Sequence, residues 1–343
     1  MGLPFLFLSP FQIFLLVISK NSGSFLKKSP SFLKNVPSFF LIRQEKGRGS
    51  GFAVCVFQKK DGKCKGYSVY LLYFCTSKAK HVVKLLIIGS GNVATHVAIW
   101  AQEHGQQVVH VASRTPSHAQ ELARRVHASF SGLDVRDMPH AEAALVAVSD
   151  DALREVVQQL PPMPDTVLIH TAGGMDMGVF AGRVGDRGHG ILYPLQSFSR
   201  QQPANFAEIP LFLEADGPEG MDVLKQLASC MSQRVYELDS RQRKLLHVAG
   251  VFAHNFSNHC MAQADVLLGR LGLPFDVLLP MMEALVRKLR AANPRQTQTG
   301  PAVRGDWQLV EEESELLRED KDMQRLYDMM SRSIGLFHQT LKT

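Results

Sequence analysis

The sequence is poor in the features that mark several protein classes. Its 343 residues hold five cysteines, at positions 55, 64, 75, 230 and 260, and no two form a C-x-x-C pair. An odd, scattered set of this kind excludes a disulfide framework and offers no zinc cage, so a reducing, cytoplasmic setting is expected. His247, His254 and His259 do not recur with a carboxylate at metal-ligand spacing, and no metal site is expected. Excess positive charge is missing from most of the chain. Residues 81–343 hold 25 Lys and Arg against 30 Asp and Glu, whereas residues 1–80 hold 13 against two. The formal net charge of +6 thus belongs to the leader, and the body of the chain carries no nucleic-acid footprint. A convincing membrane span is lacking too. The apolar stretch MGLPFLFLSPFQIFLLVIS is interrupted by Pro4 and Pro10 and has no positive charge before it.

That leader has its own composition. Lysine outnumbers arginine eleven to two in it, against six to nineteen beyond, and 11 of the 20 phenylalanines fall there. The segment SFLKKSPSFLKNVPSFF shows neither a steady helical nor a strand period. Residues 1–81 are therefore expected to be an over-extended reading frame outside the fold, with a membrane anchor as the alternative. The remainder divides into an α/β part, 82–239, and a helical part, 240–343.

What is present begins at KLLIIGSGNVATHVA, residues 84–98. Leu85 to Ile88 is an unalternating aliphatic run, which suits a strand buried on both faces. Gly89, Gly91 and Ala94 follow in the spacing G-x-G-x-x-A, and Val93, Val97 and Trp100 then repeat at helical steps. In a dinucleotide-binding turn the first glycine makes the bend and the second lets the backbone approach a pyrophosphate. The third small residue lets helix and strand pack closely. The helix start at Asn92 and Val93 offers free N–H groups to the phosphate. The plain alternative is a βα turn that happens to hold two glycines.

The next strand, Val108 to Ala112, argues for the cofactor. NAD-binding folds place an acid at its end, against the ribose 2′-hydroxyl. Here Ser113, Arg114 and Thr115 stand there instead. An acid would repel a 2′-phosphate, whereas an arginine pairs with it and hydroxyls donate to it, so NADP(H) is expected over NAD(H).

Further strands are expected at Ala144 to Val148, Val167 to His170, within GILYPLQSFS and IPLFLEAD, and at Arg234 to Leu238. Helices between several of them imply a doubly wound parallel sheet. Its ligands would lie beyond the carboxyl ends of the strands, where the glycine turn, Ser113 to Thr115, Ser149, His170 and Tyr193 emerge. Ser149 reads as a helix cap that can also reach ribose or phosphate, and His170 as a cofactor contact.

From Ser240 the pattern is almost entirely helical. At 100° per residue Lys244, His247, Val251, Asn255 and Asn258 fall near one line of the first long helix. Polar groups in an apolar helix cost free energy unless paired, so the stripe is expected to line a cleft. His247 could donate a proton to a reducing carbonyl or imine, and Asn255 could orient substrate or nicotinamide. A hydrogen-bonded core histidine and an interface asparagine are the structural alternatives. TGPAVRGD, residues 299–306, reads as a loop folding over the cleft with Arg304 facing a carboxylate, or as an Arg–Asp pair tying two helices.

GSGNVA, AVSDDAL, HTAGG, YPLQSFS, KLLHVAGVFAHNFSNH and TGPAVRGD occur in this order between about residues 84 and 335. Together they resemble NADP oxidoreductases that join a Rossmann-like domain to a helical C-terminal domain of unknown function. That family is similar in outline to pyrroline-5-carboxylate reductases and the wider 6-phosphogluconate dehydrogenase-like group. The resemblance implies a two-domain subunit whose helical part builds a homodimer, with the cofactor over Gly89, Gly91, Ala94 and Arg114. Many relatives of the broader group carry a Lys-x-x-x-Asn pair on the first C-terminal helix. Here Val248 follows Lys244 at that spacing, and Tyr193 stands where members often have histidine before proline. A tyrosine can still donate, although it titrates near 10. Two functions are consistent with these residues. One is hydride transfer between NADP(H) and a small carbonyl or imine, with His247 or Tyr193 as proton donor and Lys244 and Arg304 binding substrate. The other is a non-catalytic dinucleotide-binding sensor or partner-binding dimer.

Overall fold

The computed structural model describes residues 38–44, 52–58, 68–70, 82–134, 138–183 and 187–340. They fall into two units, one ending at Val82 and one beginning at Val83. In the first, β1 (Ser38–Gln44), β2 (Phe52–Gln58) and β3 (Ser68–Tyr70) form an antiparallel sheet in that order. The sequence pattern gave no strand here, yet β1 begins inside the aperiodic segment. The apolar run at residues 1–19 lies outside the described residues.

The second unit opens with alternating strands and helices. In chain order they are β4 (Lys84–Ile88), α1 (Asn92–Glu103), β5 (Gln107–Ala112), α2 (Pro116–Arg125), β6 (Ser129–Ser131), β7 (Ala143–Val146) and α3 (Asp150–Gln159). β8 (Val167–His170), β9 (His189–Pro194), β10 (Leu211–Ala215), α4 (Pro218–Met231) and β11 (Val235–Glu237) follow. The eight strands pair in the order β11-β10-β9-β8-β7-β4-β5-β6. The pairs from β6 across to β9 are parallel. β10 is antiparallel to β9, and β11 runs parallel to β10. The expected doubly wound parallel sheet is present, with two strands reversed at one edge. No α-helix intervenes between β9 and β10, so nothing obliges that connection to cross the sheet.

The aliphatic run of β4 does what a doubly covered strand must. Leu85 and Ile87 enter one hydrophobic cluster with Val97, Leu145 and Ile169, while Leu86 and Ile88 enter the other with Leu153, Leu168 and Phe180. Successive side chains point to opposite faces, so both faces need apolar residues. Each such side chain contributes roughly 1.5–3 kcal/mol by leaving water. The chain leaves β4 for β5 on one side and later returns to β7 on the other. The carboxyl ends of β4 and β7 therefore flank the switch point at which such sheets bind ligands.

The helical part starts from Asp239. Its side chain accepts from Gln242 N while the Gln242 side chain accepts from Asp239 N, a reciprocal cap that launches α5 (Ser240–Gly250). A π turn, Val251–Phe256, joins α5 to α6 (Ser257–Arg270). Then come α7 (Leu279–Ala291), the short α8 (Pro294–Thr297) and α9 (Pro301–Arg304), α10 (Trp307–Glu315) and α11 (Lys321–Thr340). α10 and α11 are separate helices because Asp320 accepts from Met323 N and starts α11 afresh. Among the described residues no helix is long and apolar enough to cross a membrane.

Candidate functional site

The glycine turn is built as the sequence requires. Gly89 has φ +118°, and a Cβ there would lie 2.3 Å from the Ala147 carbonyl oxygen, so both conformation and space demand glycine. Ala94 is fully buried at the α1–β4 contact. Gly91 caps α1 with no side-chain hydrogen bond, and a Cβ on it would meet nothing within 4 Å. The first turn of α1 contains no acid. A phosphate can therefore reach free N–H groups and the positive end of the helix.

At the neighbouring strand end Ser113 is buried, and its hydroxyl lies 2.9 Å from the Ser90 hydroxyl. Arg114 and Thr115 are exposed beside it, and Thr115 caps α2 without using its side chain. No ion pair of Arg114 occurs among the described residues. The donor set fits a dinucleotide carrying a 2′-phosphate: free backbone N–H groups at one point, then hydroxyls and a guanidinium where an acid would select NAD(H). Ser149 is likewise exposed at the start of α3 with no side-chain cap bond, which leaves its hydroxyl for a ligand.

Asn92 has a further role besides the backbone N–H at the start of α1. Its side chain donates to the Phe198 carbonyl at 2.8 Å, so it anchors the segment after β9 to the start of α1. His96 Nε2 lies 2.8 Å from the Ser199 carbonyl, and Arg200 donates to the Ser90 carbonyl at 3.0 Å. Phe198 fixes this strap from beneath, with ring centroids 5.5 Å from His96 and 5.9 Å from Phe206. Val93 is half-buried against the same core.

A second group of side chains meets at the ends of β8 and β9. Tyr193 Oη and His247 Nδ1 are 3.3 Å apart. Both rings press on Gly173, where a Cβ would stand 2.6 Å from Tyr193 Cζ and 2.8 Å from His247 Nδ1. The glycines of HTAGG thus admit a tyrosine from the sheet and a histidine from α5 over one backbone. Burial pushes the Tyr193 phenol above its ordinary value of 10, and the nearby Asp150 carboxylate pushes the same way, with Arg243 opposing. The phenol therefore keeps its proton at neutral pH.

Beneath this pair lies a charge that sequence reasoning missed. Arg243 of α5 is fully buried, and its Nε donates to Glu214 of β10 at 2.9 Å. Its Nη1 also donates to the Ala172 and Gly173 carbonyls, and the Ser240 hydroxyl donates to the other Glu214 oxygen. One arginine so ties the helical part to the sheet edge and to the HTAGG loop. The signal was available, because Glu214 sits in an otherwise apolar strand and an acid there needs a cation.

His170 is not at the cofactor surface. It has no exposed surface, and its Nδ1 accepts from Ala172 N at 3.2 Å. Burial first, and the charge of Arg243 second, push its pKa down to about 4, with the Asp176 backbone only partly opposing. The expected contact with cofactor becomes a role beneath the loop, as a neutral acceptor. Val167 to His170 belongs to a strand covered on both faces, which leaves the ring no route outward.

The expected polar stripe of the first helix does not survive intact. Lys244 lies near the Tyr193–His247 pair but is held by Asp176 at 3.2 Å, with both side chains substantially exposed. The Gly178 N–H, and after it Lys244, keeps the Asp176 carboxyl below the usual range. Beyond Gly250 the π turn takes up about one extra residue, which rotates the following face by roughly 100°. Asn255 is exposed within that turn and His254 beside it. Arg304 is exposed at the end of α9, and no described hydrogen bond or ion pair joins it to Tyr193 or His247. Asp306 does not pair with it but accepts from Leu309 N at the start of α10. No cluster of three or more metal-ligating side chains occurs among the described residues.

A switch-point glycine turn beside Ser113, Arg114 and Thr115, and a helical part tied to the sheet through Arg243 and Glu214, define a Rossmann-like dinucleotide-binding scaffold. Residues 84–174 match the family described as NADP oxidoreductase coenzyme F420-dependent, and residues 209–334 match a domain of unknown function (DUF2520). A candidate NADP oxidoreductase of Bacteroides fragilis is 40% identical over 74% of this chain and 98% of its own, with a TM-score of 0.67. The chain belongs to this family of NADP oxidoreductases, whose cofactor is NADP(H). The fold recurs in a Thermotoga maritima protein at 24% identity, over 76% of this chain and 100% of that one, with a TM-score of 0.59. It recurs again in a reductive aminase of Aspergillus terreus in complex with NADPH4, cyclohexanone and allyl amine. That enzyme is 14% identical, over 74% of this chain and 94% of its own, with a TM-score of 0.56. No curated protein matches the sequence.

Proposed function

We propose that this protein reduces a small carbonyl or imine with NADPH, and that Tyr193 and His247 supply the proton. The observation that carries this reading is the 3.3 Å approach of Tyr193 Oη to His247 Nδ1 over Gly173, at the ligand-binding edge of the sheet. NADPH, when bound over Gly91 and Arg114, supplies the hydride. The chain's own groups then have separate tasks. The buried phenol, protonated at neutral pH, gives its proton to the substrate oxygen or nitrogen. His247 passes its Nδ1 proton to the phenol oxygen as its Nε2 takes one from solvent, so the imidazole ends neutral. Arg243 holds the Gly173 backbone against both rings. Lys244 and Arg304 offer charge to an acidic substrate, and Asn255 offers an amide from the π turn.

The assembly proposed with this chemistry is a homodimer through the helical part. Leu245, Phe252, Met281, Leu285 and Leu336 are each at least half exposed on α5, the π turn, α7 and α11. Large apolar side chains exposed in this number favour a partner-binding face, and a second copy is the partner that the resemblance implies. The free thiols Cys230 and Cys260 support a cytoplasmic setting.

The test is NADPH oxidation by the purified full chain with a panel of small carbonyls, and of carbonyls with amines. Tyr193→Phe is expected to lower turnover by about 10²–10⁴-fold and leave NADPH affinity unchanged. NADPH that binds but is never consumed across the panel would overturn the reading in favour of a non-catalytic sensor.

A further inference from the structure

Arg200 was not among the residues expected at the cofactor, and it lies where the sheet meets the glycine turn. It belongs to the strap after β9, far in sequence from both cofactor motifs. Three hydrogen bonds pin that strap to α1 and its entry. They are Asn92 Nδ2 to the Phe198 carbonyl, His96 Nε2 with the Ser199 carbonyl, and Arg200 Nη2 to the Ser90 carbonyl at 3.0 Å. Ser90 is the residue between the two glycines, and its hydroxyl pairs with that of Ser113 at 2.9 Å. Arg200 therefore reaches one side of this hydroxyl pair, while Arg114 follows Ser113 directly in the chain.

The electrostatics of that arrangement are one-sided. Neither Arg114 nor Arg200 forms an ion pair among the described residues, and the first turns of α1 and α2 contain no acid. The guanidinium of Arg200 has five N–H donors in a planar fork, and the Ser90 carbonyl takes a hydrogen bond from one of its nitrogens. Exposed, and held through one guanidinium nitrogen with its other donors unused by any described partner, it is pre-organised without being neutralised. Such a group costs little to order when an anion arrives.

We infer that Arg200 is a second specificity-determining cation for the cofactor's 2′-phosphate, which it clamps against Arg114 across the Ser90–Ser113 hydroxyls. The inference rests on the NADP(H) reading of the glycine turn and extends it to a segment outside the two dinucleotide-binding motifs. It also gives the strap a task, because docking onto α1 is what carries Arg200 to Ser90.

Binding of NADPH and NADH to the full chain, followed by isothermal titration without any substrate, tests this. Arg200→Ala is expected to weaken NADPH by roughly ten- to hundredfold, the effect of losing charge-assisted hydrogen bonds, and to leave NADH within about twofold. Arg200→Lys, which keeps the charge and loses the fork, is expected to fall between wild type and Arg200→Ala. Equal weakening of NADPH and NADH would place the guanidinium on the pyrophosphate or make it a mere strap tether, and would overturn the inference. An unchanged NADPH affinity would overturn it as well. The underlying reading fails separately: a wild-type chain that binds neither dinucleotide, or an Arg114→Ala variant with full NADPH preference, would refute the cofactor site itself.

Discussion

The sheet and the helices that follow it bury their apolar residues in opposite ways. Before residue 240, and from Val82 on, Val82, Phe130 and Tyr236 are the large apolar side chains left exposed among the described residues. After it, Leu245 is 71% exposed, Leu271 71% and Leu316 80%, while Leu268, Ala302, Val310, Leu317 and Met323 are the buried apolar residues. The sheet is covered on both faces and carries its own core in two clusters. The helices touch each other but turn much of their apolar surface outward. One region thus covers its apolar residues within the chain, and the other leaves many of them open to the homodimer contact proposed above. The difference accounts for the cofactor motifs being local and readable, whereas the proposed substrate side draws on several distant segments.

The sharpest way to break this contrast is to charge the outward face. Met281 and Leu285 lie one turn apart on α7 and are 67% and 50% exposed. Met281→Asp together with Leu285→Asp is expected to convert the proposed homodimer to monomer, weakening association by a thousandfold or more, as two buried unpaired charges would. Sedimentation velocity reads the mass, and NADPH titration reads the sheet, which is expected to keep its affinity. An unchanged dimer mass would locate the interface on another surface.

The second largest effect belongs to the seam between the two regions. Arg243 is buried with Glu214, so Arg243→Met leaves a carboxylate without its cation in an apolar strand. A loss of about 3–5 kcal/mol is expected, seen as a fall in Tm of roughly 6 °C or more. The double variant Arg243→Met, Glu214→Leu removes both charges and is expected to recover most of that loss. If the single variant matches wild type in thermal unfolding, the pair does not hold the seam.

How much of this was visible in advance follows from how local each signal is. β4, the glycine turn and α1 are specified within a dozen residues, and β8 spans Val167 to His170 as read. The reversal of β10 was not visible, because the connection from β9 is long enough for either direction and its sequence has no helical period. The π turn was not visible either, since a constant 100° step was assumed through Val251–Phe256. That assumption placed Asn255 on the His247 line. Tyr193 and His247 were each identified, but their meeting over Gly173 depends on two elements 54 residues apart. Arg243 was passed over because arginine in a first helical turn reads as solvated until Glu214 is placed opposite it.

The smallest effect sharpens the comparison from inside the sheet. His170 lies below the loop that carries Gly173, within reach of the Arg243 charge, and its folded pKa is about 4 against an ordinary 6.5. The native state therefore binds fewer protons than the unfolded chain between those values, and unfolding free energy rises with pH across that window. The contribution is fully present above about pH 6.5 and is lost as pH falls toward 4, on the order of 3 kcal/mol for this one group. His170→Gln keeps an acceptor and cannot titrate, so the wild type is expected to lose stability relative to this variant as the solution is acidified from 6.5 to 4. Urea unfolding at closely spaced pH values measures that difference. A flat difference would mean that His170 is charged in the folded protein, and that burial and Arg243 do not hold it neutral beneath the site.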